Sequence, residues 1–159
     1  MCIRDSYGGA ETGCYDIAHY LPENGCESYI VTSGGELLKF IDKKKVKIIK
    51  LPVHSKNPLI MFVNFLALIG VILINNITIV HARSRAPAWA CLLAAKITGR
   101  KFVTTFHGTY NFSSKIKKFY NSVMVRSDLI IAGSNFIFSH IKENYSKYLD
   151  AKKKTFSYF

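Results

Sequence analysis

Five short runs of β-branched and aromatic residues alternate with helical patterns along this chain, and that alternation restricts its fold more than any other feature. The runs are ESYIVTS (27–33), KVKIIKLPV (45–53), ITIVHA (77–82), KFVTTFHG (101–108) and DLIIAGS (128–134). Short, near-continuous apolar runs suit strands buried on both faces, as in a parallel sheet. Residues 10–21 carry Ile17, Ala18 and Leu21 on one side, and residues 86–98 open with Pro87 in the first turn and stop at Gly99. Residues 113–126 follow a serine cap and set Ile116, Phe119, Tyr120 and Val123 at helical spacing, with lysines opposite. A further helix begins at Ser134 or Asn135. The repetition predicts an α/β fold: a Rossmann-like, doubly wound parallel sheet with helices on both faces.

Residues 59–74, LIMFVNFLALIGVILI, invite three readings. A membrane span needs about 20 apolar residues, and roughly 17 at the least. The run falls just short and a strand pattern follows it, so a buried crossover helix is favoured over a transmembrane or a membrane-surface helix. With 159 residues, 49% hydrophobic and 20% charged, the chain reads as one globular domain. The net charge of +12 favours anionic partners. Nucleic acid is disfavoured, because the lysines sit in scattered blocks without an aromatic stacking platform. The four cysteines form no C-x-x-C pair and read as small buried apolar residues, and the five histidines show no metal spacing.

Open α/β sheets bind ligands beyond the carboxyl ends of their strands. The residues placed there are Gly8, Gly9, Ala10 and Glu11; Ser33, Gly34 and Gly35; His81, Arg83, Ser84 and Arg85; His107, Gly108 and Thr109; and Ser134 and Asn135. Glycines, hydroxyls and cations suit a phosphorylated, polyhydroxylated ligand. Gly8 and Gly9 let a diphosphate approach the backbone at a helix N-terminus. Arg83 and Arg85 are candidates to clamp an anion, against a solvated loop or a salt bridge to the neighbouring helix. His81 reads as a structural histidine. His107 can donate, accept or carry charge near neutrality, and Gly108 lets the chain turn beside it.

Together, GGAE at 8–11, HARSRAPAW at 81–89 and FVTTFHGTYN at 102–111 resemble the N-terminal domain of the retaining glycosyltransferases of family 4, which have the GT-B fold. SKNP (55–58), KKFYNSVMVRSD (117–128) and IAGSNFI (131–137) fit the same resemblance. It implies transfer of a sugar from a nucleotide-diphosphate donor to a glycan or lipid-linked acceptor with retention, in envelope polysaccharide or lipopolysaccharide synthesis. His107 would be the catalytic residue. Gly8, Gly9, Gly108 and Thr109 would hold the donor and its phosphates. Lys56, Arg83 and Arg85 would line the acceptor side. The resemblance implies no metal and no cofactor beyond the donor itself. Lys115, Lys117 and Lys118 suggest peripheral contact with an anionic membrane face from the cytoplasmic side.

The departures from that family set further expectations. MCIRDS shows no strand pattern, so residues 1–6 read as a non-native leader and the family's first strand as missing. Residues 7–150 form the acceptor-side domain, and residues 151–159 a truncated tail. The family's second domain is not in the sequence, so the chain alone is expected to be inactive. Two alternatives stay open: a nucleotide- or dinucleotide-binding Rossmann domain of another enzyme class, and a small basic membrane-associated protein.

Overall fold

The computed structural model describes residues 2–3, 9–110, 113–149 and 154–157. In chain order the elements are β1 (Cys2–Ile3), α1 (Gly9–Glu23), β2 (Ser28–Thr32), β3 (Val46–Lys50), α2 (Pro58–Ile74), β4 (Ile79–Ala82), α3 (Arg85–Ile97), β5 (Lys101–Phe106), α4 (Lys115–Asn121), β6 (Leu129–Ala132), α5 (Asn135–Tyr145) and β7 (Lys154–Ser157). All strands join one parallel sheet in the order β3-β2-β1-β4-β5-β6-β7. The fold class stands as read from the sequence: a doubly wound α/β sheet.

Successive side chains of a strand point to opposite faces, and β2 shows the result. Ile30 joins Ala18 of α1, Ile41 and Val46 in a small core, whereas its neighbour Val31 joins the large one. The large core packs α2, α3 and α5 against β4, β5 and β6, through Leu68, Ile72, Ala88, Leu92, Phe102, Phe106, Ile130 and Ile141. Asn57, Ser114 and Ser134 cap α2, α4 and α5 by accepting backbone N–H bonds. Gly99 ends α3 with φ +67°, a left-handed turn that glycine adopts without strain.

Several expectations need correction. Where the first strand was expected to be missing, Cys2–Ile3 stand in the central position among the described residues, pairing with Val31 and Thr32 of β2 and with Ala82 of β4. Two residues carry no periodicity, so only the unpaired edges on either side define this strand. Lys154–Ser157, within the stretch read as a truncated tail, forms the edge strand β7 on β6. The helix after Ser114 stops at Asn121 and tightens into a 3-10 turn over Ser122–Val125. The buried stretch is therefore 121–125, and Ile116 and Phe119 are exposed. Cys14 and Cys91 are buried as expected, but Cys26 is exposed.

The apolar run became the crossover helix α2, buried on one face only. Asn64, Leu68 and Ile72 face inward at spacing four. Leu59, Phe62, Val63, Leu66, Leu73 and Ile74 follow a 3.6-residue repeat on the opposite face, each more than half exposed. No helix among the described residues is long and apolar enough to cross a membrane.

Candidate functional site

The order of the sheet reverses between β1 and β4, since β1 is followed by β2 to one side and β3 by β4 on the other. A crevice opens at the carboxyl ends of strands at such a point. Here that edge brings together the start of α1, the β4–α3 loop and the end of β5.

Arg83 leaves β4 and is 7% exposed. Its Nη1 donates to the carbonyl of Gly13 on α1 at 3.1 Å. A Cβ on Gly13 would stand 2.6 Å from Nη2, so the guanidinium would have to shift to make room for any larger residue. Two residues before Arg83, His81 meets the Thr105 hydroxyl of β5 with Nε2 at 2.7 Å. Burial drives the pKa of His81 down to about 3, with the charges of Arg83 and His107 adding to the effect.

His107 emerges exposed just past Phe106, the buried last residue of β5. The backbone N–H of Gly133, at the end of β6, donates to the Phe106 carbonyl at 2.9 Å. A Cβ on Gly133 would lie 3.1 Å from that carbonyl oxygen and 3.8 Å from the Cα of His107. Gly133 therefore lets β6 close against the base of His107. Desolvation of the side of the ring that meets protein, and then the Arg83 charge, pull the His107 pKa down to about 4. Both imidazoles are consequently neutral at pH 7, beside a buried arginine that is not.

Neither Gly9 nor Gly108 is required by packing: a Cβ at either would meet nothing within 4 Å, and neither has a positive φ. Their bare backbone is open to an approaching ligand. Thr109 is exposed beside Gly108. Gly8 lies outside the described residues. Ser84 occupies the N-cap of α3 but its side chain makes no capping bond, unlike the caps of α2, α4 and α5. The first-turn N–H groups of α3 thus have no side-chain cap from Ser84.

Of the remaining sequence candidates, Arg85 is engaged by neighbouring side chains and Lys56 lies apart. Arg85 donates to Asn121 Oδ1 at 2.9 Å and lies 4.3 Å from the Tyr110 ring centre, tying the β5–α4 loop to α3. Tyr110 stacks obliquely on Phe106, and burial raises its pKa to about 12. Lys56 is exposed in the β3–α2 loop. Four strand spacings separate β3 from β5, about 19 Å, so Lys56 does not join His107 around one small group. Across the β2 and β3 ends, His54 Nδ1 and the Ser33 hydroxyl are 2.7 Å apart. Among the described residues no three His, Cys, Asp or Glu side chains come together as a metal site would require.

Sequence reasoning missed Gly13, Gly133 and Thr105. A signal existed for Gly13: glycine inside a helical pattern costs about 1 kcal/mol against alanine, which points to a close contact.

The family model described as Glycosyltransferase Family 4 matches residues 7–153. A solved glycosyltransferase from Rickettsia africae ESF-5 is 39% identical, with a TM-score of 0.81 over 98% of this chain and 41% of its own. The Anabaena protein Alr3699/HepE in complex with UDP-glucose is 14% identical, with a TM-score of 0.67 over 98% of this chain and 42% of its own. The same protein with UDP gives 0.66 at 14% identity, over 98% of this chain and 42% of its own. At that identity the likeness concerns the fold alone. The chain spans about two fifths of the length of these solved structures. None of the curated proteins matches the sequence.

Proposed function

The chain belongs to glycosyltransferase family 4, and we propose that its sheet edge forms one wall of a site where a glycosyl group passes from a nucleotide-diphosphate donor to an acceptor hydroxyl with retention. One observation carries the reading. A neutral, exposed imidazole, His107, stands at the switch point beside a buried cation, Arg83, which is itself fixed to α1. Breaking the donor bond puts positive charge on the sugar and negative charge on the departing diphosphate. A neutral imidazole hydrogen-bonds a sugar hydroxyl without placing a second positive charge beside that sugar. The diphosphate is met by the α1 N-terminus, the bare backbone at Gly9 and the uncapped start of α3.

In this reading His107 is the catalytic residue and Gly108 and Thr109 line the donor sugar. Gly8 belongs to the same phosphate loop on the sequence alone. Arg83 is a positioning residue that sets the field at His107. Lys56 and Arg85 border the acceptor side, and no metal takes part. The acceptor is a glycan or lipid-linked saccharide of the cell envelope. The exposed stripe of α2, on a chain of net charge +12, supports peripheral contact with an anionic membrane face.

The test is a titration of the chain with UDP-glucose and with UDP, followed by NMR. Shifts at the His107 ring and at the Gly9 and Gly108 amides are expected without turnover of the sugar nucleotide. Shifts confined to other edges of the sheet, or none at millimolar ligand, would overturn the assignment of the site.

A further inference from the structure

The arginines of the described residues are held in different ways. Arg83 is buried and donates to Gly13. Arg126 donates to Ser122, and the ring centres of Trp89, Phe119 and Tyr148 surround its Cζ at 5.7, 5.3 and 5.2 Å. Arg100 lies at the opposite edge of the sheet, between α3 and β5, and donates to Asn76. Arg85 stands at the carboxyl edge and is only partly buried. Asn121 Oδ1 holds one edge of its guanidinium at 2.9 Å, and the Tyr110 ring covers one face at 4.3 Å. Nε and Nη2 make no further bond among the described residues and are not buried. Both partners are neutral: Asn121 is an amide, and the Tyr110 phenol, with its pKa raised to about 12, keeps its proton. The ion pairs of the described residues belong to Lys45, Lys47 and Lys101. Among those residues Arg85 is therefore a fixed cation with no carboxylate against it.

We propose that Arg85 is an oxyanion-binding residue of the acceptor side, which receives a phosphate or carboxylate carried by the acceptor, so that the acceptor is an anionic saccharide. Orientation, direction and position each support that ligand. A guanidinium fixed on one edge and one face presents its free edge in a set direction, which suits an anion with two oxygens in a plane. The two arginines of the β4–α3 loop diverge: Arg83 reaches back to α1, and Arg85 reaches forward to α4 and the loop after β5. An anion on Arg85 is thus held apart from a diphosphate at the start of α1. It is also close to the reacting sugar, because Tyr110 lies three residues past His107, and β4 and β5 are neighbours about 4.8 Å apart. A carboxylate at position 121 would have neutralised Arg85 from within, and the amide found there orients the guanidinium while leaving its charge for a ligand. The assignment to the acceptor rests on the transferase reading; the anion site does not.

The test is an NMR titration of the chain, read at the Arg85 Nε–H and the Tyr110 ring, with glucose 6-phosphate, glucuronate, inorganic phosphate and glucose, each with and without saturating UDP. Glucose 6-phosphate or glucuronate is expected to shift both signals at a concentration at least about tenfold lower than glucose or phosphate, with UDP present or absent. The tighter of the two tells a phosphate group from a carboxylate. Arg85→Lys keeps the charge and loses the fork, and should weaken that binding at least about tenfold. Asn121→Asp supplies an internal counter-ion and should weaken it as well; if that variant does not fold, Arg85→Lys decides. No shift at Arg85 at millimolar ligand, or full affinity in Arg85→Lys, overturns the proposal. Displacement by UDP, or phosphate alone binding as tightly as the anionic sugars, overturns the assignment to the acceptor. A response of His107 and Gly108 to UDP without any response of Arg85 to the anionic sugars refutes this subsite and leaves the transferase reading intact. The reverse pattern refutes the transferase reading, and the acceptor assignment with it, while the anion site stands.

Discussion

Replacing Gly13 with alanine sets two effects of known size against each other. Gly13 is an interior residue of α1, where alanine is favoured over glycine by about 0.8–1.0 kcal/mol. Helix propensity alone therefore predicts stabilisation. The new Cβ, however, would stand 2.6 Å from Arg83 Nη2. That is about 1 Å inside ordinary van der Waals contact, so the guanidinium must withdraw. Its withdrawal loses the 3.1 Å bond from Nη1 to the Gly13 carbonyl. A hydrogen bond from a charged group contributes about 1.5–3 kcal/mol, so the bond outweighs the propensity. Gly13→Ala is expected to destabilise the chain by about 0.5–2 kcal/mol. The site should report the same event. Arg83 is a cause of the depressed pKa of His107, and its retreat should raise that pKa. Denaturant unfolding gives the first quantity and NMR titration of the His107 ring the second. Gly9→Ala is the matched control, because a Cβ there meets nothing. If Gly13→Ala stabilises by about 1 kcal/mol and His107 titrates unchanged, the Arg83–Gly13 contact does not organise the site, and the reasoning fails.

Two further predictions concern pH and the surface of α2. His81 and His107 have native pKa values depressed from 6.5 to about 3 and about 4. Above pH 6.5 neither state takes up the proton; below it the unfolded chain does and the native chain does not, so stability falls as pH drops. Between pH 6.5 and 5 the more buried His81 accounts for about 2 kcal/mol of that loss. The urea midpoint should decline from pH 7 to 5, and an unchanged midpoint would refute the burial argument. On α2, Phe62→Asp with Leu66→Asp should weaken binding to anionic lipid vesicles roughly tenfold or more, since each apolar side chain contributes about 1.5–3 kcal/mol when fully buried. Undiminished vesicle binding would remove α2 from any membrane contact.

What the sequence disclosed follows from the range of the interactions involved. β2 to β6 were legible because strands buried on both faces need continuous β-branched runs, and each run ended near the residue where the strand ends. The placement of His107 and Gly108 just past β5, and of Gly9 at the start of α1, was legible because each follows or opens a periodic run. The burial of Arg83 was not, because its partner Gly13 is 70 residues away in sequence. The two-sided character of α2 was hidden as well: an apolar run records what a helix is made of, not which side is covered. Arg85 shows the opposite case. Its sequence context allows a salt bridge to a neighbouring helix, and its guanidinium is held by Asn121 of α4, an amide in place of a carboxylate.

The positive charge of the chain and the chemistry of its site have different sources. Lys45 and Lys47 pair with Glu23 and Glu27 on the surface, and Lys43, Lys44, Lys50, Lys96 and Lys101 are exposed. Such charges are screened within about 10 Å at ordinary ionic strength. They attract an anion to the molecule without orienting it. At the switch point the arrangement is different. Arg83 is buried and fixed, the two imidazoles are neutral, and the other positive ends are backbone N–H groups at the starts of α1 and α3. A buried arginine and helix N-termini hold their direction when a ligand arrives, whereas a surface lysine must give up rotamer freedom to do so. A polyanion leaving a sugar needs fixed partners at the moment its charge develops. That is why the reading rests on Arg83, His107 and Gly9 rather than on the lysines that set the net charge.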